Sequence, residues 1–390
     1  MLNKICFVIL TAVCSLALHA EVEYDIIPLL PAGHMPAPGK VYQTFPKDMS
    51  RTGFVVGQWE EFEDYFSDPI VGGFVYHELL GYQNIEIPGA TAVTPEKVNI
   101  HGVVAGSCVT TENCFFIYDS VTQTVTYLEP MISSGFYWMY DCEIYAITQD
   151  GKILLQSLWE DEPWEADLHP SPEQKVIKLQ QDFVSINNNG DIITANEFLP
   201  RFGERQAFGT LDFYGRWNVH AEVLSDAGVV AGYGYDMNFN EVGFLWDCEK
   251  GLRSFPNLGG DYLSVDAINI HSQVAGTALN EKDRVRAFFY DEESGVISLG
   301  TLKGHNYSEA RDINDQGFVV GISTIEEKDE KDRAFVWDKK HGIRDLNMMH
   351  NGVTEWKKLE SANKINPDGS IMGLGVYRGD WCAYLLIPKN

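Results

Sequence analysis

The chain has 390 residues, of which 45% are hydrophobic and 12% aromatic, and this composition excludes an intrinsically disordered protein. Its formal net charge is −27, from 56 acidic and 29 basic residues. Because an acidic surface repels phosphate groups and anionic lipid heads, the charge argues against nucleic acid and membrane surfaces as partners and favours cationic ligands. The same charge also promotes solubility.

The first twenty residues have the pattern of a cleaved secretory signal peptide. Lys4 is the only charged residue, an apolar run extends from Ile5 to Leu18, and the small residue Ala20 ends the segment. The run is shorter than the roughly 20 residues that a membrane span requires. We therefore predict a signal peptide at residues 1–20 and an exported protein, periplasmic, cell-surface or extracellular, with no transmembrane segment after cleavage.

A ten-residue pattern recurs eight times along the chain. Its second position is apolar, and its third is always Asn, Ser or Thr. Its sixth position is glycine in every copy except one. The copies, which we number repeats 1 to 8, begin at Asp48, Lys97, Ala146, Ser185, Val223, Ala267, Asp312 and Lys364. Spacings of 38 to 52 residues predict a propeller or a similar repeat array.

The third and sixth positions of the pattern predict a hairpin turn. An Asn, Ser or Thr side chain at the third position bonds backbone N–H groups further along, and glycine at the sixth adopts the positive φ of a three-residue hairpin loop with a bulge. Ser272 replaces this glycine in repeat 6. The predicted structural turn residues include Asn99, Gly102, Asn187, Gly190, Asn269, Asn314, Gly317, Asn366 and Gly369.

Each turn joins the first two strands of a predicted four-stranded unit, whose strands we call a, b, c and d. Strand c has the order small residue, Phe, apolar residue, Trp or Tyr, and Asp, as in residues 334–338 (AFVWD) and 287–291 (AFFYD), with a looser form at residues 207–212 (AFGTLD). Aromatic residues at strand spacing predict core packing. A strand d after a Gly-led turn completes the content of one propeller blade.

Two copies of strand c carry a family resemblance. The triplets Arg286-Ala287-Phe288 and Arg333-Ala334-Phe335, together with LGTL from Leu299 and the following SEARDINDQGFVVG, resemble the bacterial HAF repeat of exported proteins. The match is strong over residues 223–345 and weak in repeats 3 and 4, which have Leu155 and Thr194 where other copies have a second glycine. The resemblance implies an exported β-repeat protein and brings no established activity or catalytic residues.

The fold that these patterns predict is all-β. We expect residues 21–390 to form one domain, a closed β-propeller of eight four-stranded antiparallel blades. The last repeat ends after strand c, and residues 24–35 resemble a strand d, so the N-terminal strand would join the C-terminal blade and close the ring. Seven blades with an irregular region is the alternative, because repeats 3 and 4 are degraded.

Cys108 and Cys114 form a candidate disulfide. They flank a short loop between two apolar strands, and export permits disulfides; the alternative is two buried thiols. The sequence does not determine the pairing of Cys142, Cys248 and Cys382. With five cysteines after the signal peptide, at least one stays free or pairs between chains.

The b–c loops are the predicted ligand site, because they vary while the a–b turns are uniform. Two of these loops combine Trp with carboxylates, which suits a protein partner, a cationic peptide or a glycan. The predicted ligand-binding residues are Trp59, Glu60, Glu61, Glu63, Asp64, Tyr65, Trp159, Glu160, Asp161, Trp164, Glu165 and Asp167. The other interpretation is a set of solvated loops whose aromatic side chains pack on the blade edge.

The function predicted from this pattern is that of a binding or interaction module. The alternative is a propeller hydrolase or lyase acting on carbohydrates through paired carboxylates, such as Glu61 with Asp64 or Glu162 with Glu165. No catalytic motif is present, so no catalytic residue is assigned and enzyme activity stays open. No metal ligands or cofactors are predicted; Ca²⁺ is compatible with the acidic loops, but no calcium-binding motif supports it.

Overall fold

A computed structural model describes residues 22–30, 41–63, 68–110, 113–128, 142–149, 151, 153–157, 176–179, 183–209, 219–236, 238–325, 328–350 and 355–389. The predicted signal peptide lies outside these ranges. Within them the protein is all-β, as predicted, with a single 3₁₀ turn at Leu346–Met348. No helix in this part of the chain is long and apolar enough to cross a membrane.

The strands follow the repeats in order. Repeat 1 has β2 (Val41–Met49), β3 (Val55–Phe62), β4 (Ile70–His77) and β5 (Gly81–Ile85); repeat 2 has β6 (Ala92–Val98), β7 (Val103–Val109), β8 (Asn113–Asp119) and β9 (Thr124–Leu128). Repeat 3 has β10 (Cys142–Ile147), β11 (Ile153–Ser157) and β12 (Val176–Leu179); repeat 4 has β13 (Phe183–Ile186), β14 (Ile192–Thr194), β15 (Glu197–Leu199) and β16 (Gln206–Ala207).

The second half is more regular. Repeat 5 has β17 (Val219–Leu224), β18 (Val230–Tyr235), β19 (Glu241–Asp247) and β20 (Gly251–Phe255); repeat 6 has β21 (Gly259–Ile268), β22 (Val274–Asn280), β23 (Val285–Asp291) and β24 (Gly295–Gly300). Repeat 7 has β25 (Tyr307–Ile313), β26 (Val319–Ile325), β27 (Lys328–Asp338) and β28 (Gly342–Asp345). Repeat 8 has β29 (Trp356–Ile365), β30 (Ile371–Tyr377) and β31 (Asp380–Pro388), with β1 (Tyr24–Pro28) as its fourth strand.

The predicted four-stranded antiparallel sheet is confirmed in repeats 4 to 8. Repeats 1 and 2 are joined into one eight-stranded sheet, because Val71 of β4 pairs parallel with Ala92 of β6.

Repeats 3 and 4 depart from the prediction in other ways. In repeat 3, β12 pairs parallel with β11, so the described part of this sheet is a three-stranded mixed sheet. In repeat 4, strand c is Glu197–Leu199 and not residues 207–212. The chain reverses early there because the Glu197 N–H donates to Thr194 Oγ1, 3.1 Å away, and Ala207 then lies in strand d.

The a–b turn has the same geometry in every repeat. The turn glycines have φ values of 76° to 89°, and Ser272 adopts 59° at the equivalent position. Just before each turn, strand a contains a β-bulge; in repeat 7 the register shifts between Ala310 and Asp312. Such a bulge leaves Arg311 without a counterpart on strand b and redirects the neighbouring side chains.

The second glycine of the pattern is explained by packing. A methyl group on Gly321 would collide with the Glu309 carbonyl oxygen of strand a and would lie 3.0 Å from the Phe335 ring of strand c. Phe335 is fully buried, as its strand spacing predicts, and so are its equivalents Phe74, Phe116, Phe244, Phe288 and Tyr384. Repeats 3 and 4 lack this glycine; repeat 3 has the mixed sheet and repeat 4 the displaced strand c.

Among the described residues, eight hydrophobic clusters lie between consecutive repeats. One of them joins repeat 8 to repeat 1, where Met372 and Leu385 pack with Val55 and Phe74. At the same boundary Thr44 Oγ1 accepts a hydrogen bond of 2.8 Å from the Ala383 N–H. Strand β1 pairs antiparallel with β31 over five residues, in the place predicted for the N-terminal strand. The two ends of the chain therefore share one sheet.

The described cysteine side chains form one disulfide and two free thiols. Cys108 and Cys114 lie opposite each other on β7 and β8 with their Cα atoms 5.1 Å apart, and their sulfurs are bonded. Cys248 is an exposed free thiol, and Cys382 is a buried one. The short bridge joins two neighbouring strands of repeat 2.

Candidate functional site

The a–b turns of all eight repeats line one cavity of about 530 Å³. Each repeat contributes the apolar residue from the second position of the pattern: Met49, Val98, Ile147, Ile186, Leu224, Ile268, Ile313 and Ile365. We call this space the central cavity. Its volume falls in the range of small-molecule sites, about 300–1,000 Å³.

Asparagine side chains at the third position of the pattern hold the turns in place around this cavity. Asn314 Oδ1 accepts hydrogen bonds from the N–H groups of Gln316 (3.1 Å) and Phe318 (3.0 Å), which shape its own turn. Its Nδ2 donates to the carbonyl oxygen of Asn366, 3.1 Å away in the next repeat. Asn99, Asn187 and Asn269 form the same inter-repeat bond with the following turn. In these four repeats the side chain that forms the turn thus also joins it to the next turn.

Charged residues at the first position of the pattern line one side of the cavity. In the order of consecutive repeats 7, 8, 1 and 2 they are Asp312, Lys364, Asp48 and Lys97, so the sign of the charge alternates. Asp312 Oδ2 accepts a 2.9 Å bond from the Ile365 N–H, and Asp48 Oδ2 accepts a 3.1 Å bond from the Val98 N–H. Each carboxylate therefore bonds to the backbone of the following repeat.

Lys364 lies deep among protein atoms. Its side chain borders the cavity, however, and is therefore accessible to solvent. The nearby Asp312 carboxylate, with a smaller contribution from Asp48, raises the pKa of Lys364. Burial raises the pKa of Asp312, and Lys364 and two backbone N–H groups oppose that shift. Since the lysine is stabilised in its charged form, this side of the cavity presents a fixed ammonium group.

Arg51 crosses between repeats that are far apart in sequence. Its guanidinium donates hydrogen bonds to Asp226 of repeat 5 and to Asp315 of repeat 7. Asp226 also accepts from the N–H (2.9 Å) and Nδ2 (2.8 Å) of Asn188. All four residues line the central cavity. Because a guanidinium can hold two carboxylates at once, Arg51 links the turns of repeats 1, 5 and 7.

Three of the predicted ligand-binding residues lie in a strand and not in the expected loop. Trp59, Glu60 and Glu61 lie within strand β3, which continues to Phe62 because the nine-residue β2 pairs with it throughout. The Trp59 indole packs against Gly72 and stacks on Tyr42 with ring centroids 5.6 Å apart. A ligand-binding role for these residues stays a prediction.

Of the other predicted ligand-binding residues, the structure describes one. Glu63 lies just beyond β3. The remaining residues are outside the described ranges, and their roles stay predictions: Asp64, Tyr65, Trp159, Glu160, Asp161, Trp164, Glu165 and Asp167. Glu162 is also outside them, so neither predicted carboxylate pair can be assessed.

Sequence reasoning missed the charged first positions and Arg51. The signal was present in the alignment of the repeats, since the first position carries Asp or Lys in four consecutive repeats when the last is followed by the first. In the described part of the chain, no group of three or more His, Cys, Asp or Glu side chains is arranged to hold a metal ion.

No protein-family model matches the sequence, and no curated protein matches it. Structural comparison finds an acylaminoacyl peptidase from Pyrococcus horikoshii, with 13% identity, a TM-score of 0.43, and coverage of 78% of this chain and 52% of that chain. This chain thus spans about half the length of that peptidase. The β-propeller domain of the Trilobed protease from Pyrococcus furiosus has 12% identity and a TM-score of 0.35, covering 80% and 99%.

A lectin from Aleuria aurantia is also similar, with 10% identity, a TM-score of 0.30, and coverage of 79% of this chain and 95% of the lectin. These scores are too low to carry an argument about function. The resemblance to HAF repeats stays a prediction.

Proposed function

We propose that this protein is an exported, closed eight-bladed β-propeller that binds a small polar ligand in its central cavity. The observation that carries the proposal is that the turns of all eight repeats line one cavity whose wall presents both signs of charge. The hydrophobic cluster between repeats 8 and 1 and the pairing of β1 with β31 support closure. The bond between Cys108 and Cys114 supports export, since disulfides persist in oxidising compartments.

The cavity supports binding because its fixed charges are already oriented before a ligand arrives. Asp48 and Asp312 are held by backbone N–H groups, so their carboxylates need no reorganisation to face a ligand. Lys97 and Lys364 offer donors beside them. Pre-oriented groups lower the entropic cost of association, which favours specific binding of a polar molecule.

The test is a thermal-shift panel of small cationic, anionic, zwitterionic and neutral polar compounds, followed by calorimetry on each stabilising compound. The double variant Asp48→Asn/Lys97→Gln removes one charge of each sign from the cavity. We expect at least a tenfold loss of affinity. Lys282→Gln/Asp283→Asn, on the exposed β22–β23 loop, is the matched control and should bind normally.

Two results would contradict central-cavity binding. One is a panel without any stabilising compound. The other is a stabilising compound whose affinity is unchanged in the Asp48/Lys97 double variant but reduced by Glu60→Gln/Glu61→Gln, which would place the ligand near strand β3 instead.

A further inference from the structure

A second cavity, of about 450 Å³, lies between repeats 6 and 7 and shares no lining residue with the central cavity. We call it the inter-repeat pocket. On β21 its wall has Tyr262, Ser264 and Asp266, and on β25 it has Tyr307, Glu309 and Arg311. These residues occur at every second position, so each strand presents one face to the pocket.

The acidic groups of this pocket differ in their partners. Glu309 is neutralised by Arg311, whose nitrogen lies 3.3 Å away, and it also accepts a hydrogen bond from the Tyr307 hydroxyl. Asp266 accepts only hydroxyl donors, from Ser264 at 3.2 Å and from Thr277 at 3.0 Å. Among the described residues no Lys, Arg or His nitrogen comes within ion-pair distance of Asp266. Ser264 and Thr277 therefore solvate its carboxylate, and the charge of Arg311, which is already paired with Glu309, compensates it only from a distance.

Glu222, on the neighbouring strand β17, adds a second carboxylate close to Asp266. Its Oε2 accepts a hydrogen bond of 2.6 Å from the Val265 N–H, next to Asp266, and it has no ion pair among the described residues. Burial, more than the neighbouring carboxylates, raises the pKa of Glu222 to about 7 and that of Asp266 to about 6. Both shifts mean that the protein disfavours the ionised carboxylates, which a bound cation would favour.

An organic cation fits this pocket better than a metal ion does. The described carboxylates do not converge in the way that a metal ion requires. The pocket instead combines one unbalanced carboxylate with two phenol rings, and ammonium groups bind favourably to both. Tyr262 is 46% exposed, so the pocket is open to a ligand from solvent.

We propose that the inter-repeat pocket binds a ligand with a primary ammonium group, with Asp266 as its ion-pair partner and the rings of Tyr262 and Tyr307 beside it. A primary ammonium has three N–H donors, which match the Asp266 carboxylate together with the hydroxyl oxygens of Ser264 and Thr277. The acidic overall charge of −27 would increase the local concentration of such a ligand.

The test is isothermal titration calorimetry of the full protein with the diamine putrescine at pH 8. The uncharged analogue 1,4-butanediol is the ligand control. We expect the diamine to bind and the diol not to bind. Asp266→Asn keeps the size of the side chain and should weaken diamine binding at least tenfold. Glu249→Gln removes one negative charge from an exposed turn of repeat 5 and should leave the affinity unchanged.

Two further measurements separate the pocket from general charge attraction. Tyr262→Leu, at a half-exposed position, should weaken diamine binding several-fold without affecting the fold. This variant tests the pocket even if Asp266→Asn does not fold. Diamine affinity should fall as the pH is lowered from 8 to 5.5, because Asp266 and Glu222 become protonated while Arg311 stays charged. Undetectable diamine binding, equal binding of diol and diamine, or equal affinity in native protein and both pocket variants would overturn the proposal.

Discussion

Asn269 donates a hydrogen bond from Nδ2 to the backbone carbonyl oxygen of Asn314, 2.9 Å away in the next repeat. Asn314 forms the equivalent bond to Asn366, but the Nδ2 of Asn366 is buried and has no partner among the described residues. The inter-repeat bond is therefore absent at the boundary between repeats 8 and 1, although repeat 8 has the asparagine. This boundary depends on side-chain packing and on the pairing of β1 with β31.

The first prediction concerns this series. Asn314→Ala removes two hydrogen bonds within its turn and one to Asn366, so we expect it to lower the free energy of unfolding by about 2–4 kcal/mol. Asn366→Ala is the matched variant and should cost less, since no inter-repeat bond from its Nδ2 is lost. Urea denaturation measures both. Equal losses would show that the inter-repeat bond contributes nothing.

The second prediction concerns Ser272, which adopts a φ of 59° where the other turns have glycine. Ser272→Gly relieves the strain of a left-handed conformation, so the free energy of unfolding should rise by about 0.5–1 kcal/mol. Ser254→Gly, on strand β20, introduces glycine into an extended strand and should lower stability. A melting temperature of Ser272→Gly at or below that of the native protein would contradict the explanation.

The third prediction concerns Glu222, whose pKa is raised from 4.5 to about 7. The folded protein binds this proton more tightly than the unfolded chain, so stability falls as the pH rises from about 4.5 to 7 and the loss persists above pH 7. The loss is about 3 kcal/mol at roughly 1.4 kcal/mol per pKa unit. Glu222→Gln should therefore stabilise the protein at pH 8 and have little effect at pH 4.

Chemical denaturation at both pH values measures this effect, with Glu249→Gln as the exposed control. If Glu222→Gln and Glu249→Gln change the stability equally at pH 8, the environment of Glu222 does not destabilise its charge.

The fourth prediction concerns closure by β1. Ile26 is 8% exposed and lies opposite Leu386 on β31. Placing a charge there, in Ile26→Asp, or deleting residues 21–35 should sharply lower the melting temperature, because the edge of β31 and the adjacent core become exposed. Asp25→Asn, at an exposed position of the same strand, is the control. A melt that is unchanged by the deletion would contradict closure.

Local features of the fold could be predicted because they depend on residues close together in sequence. The positive φ at Gly317 follows from its position three residues after Asn314, and the burial of Phe335 follows from the alternation of strand c. The irregular repeats were harder to predict. Strand c of repeat 4 was placed at residues 207–212, because the early reversal at Thr194 and Glu197 depends on one side-chain hydrogen bond that the repeat pattern does not contain.

The central cavity was not predicted for a related reason. Variation suggested the b–c loops, whereas the described cavity is lined by the most uniform turns. Asp312 and Lys364 are separated by a whole repeat, and neither is unusual within its own copy of the pattern. Each shifts the pKa of the other only because the a strands of consecutive repeats lie side by side.

By itself, the sequence determined the repeat, the turns, the aromatic core positions and the acidic character of the chain, since each depends on composition or on the order of neighbouring residues. Only the tertiary structure decided that eight turns share a cavity, that Arg51 contacts Asp226 and Asp315, and that Asp266 lacks a cation. These features depend on which distant residues become neighbours when the sheets pack. Hydrophobic burial drives that packing, while the charges at its edges determine which ligands can bind.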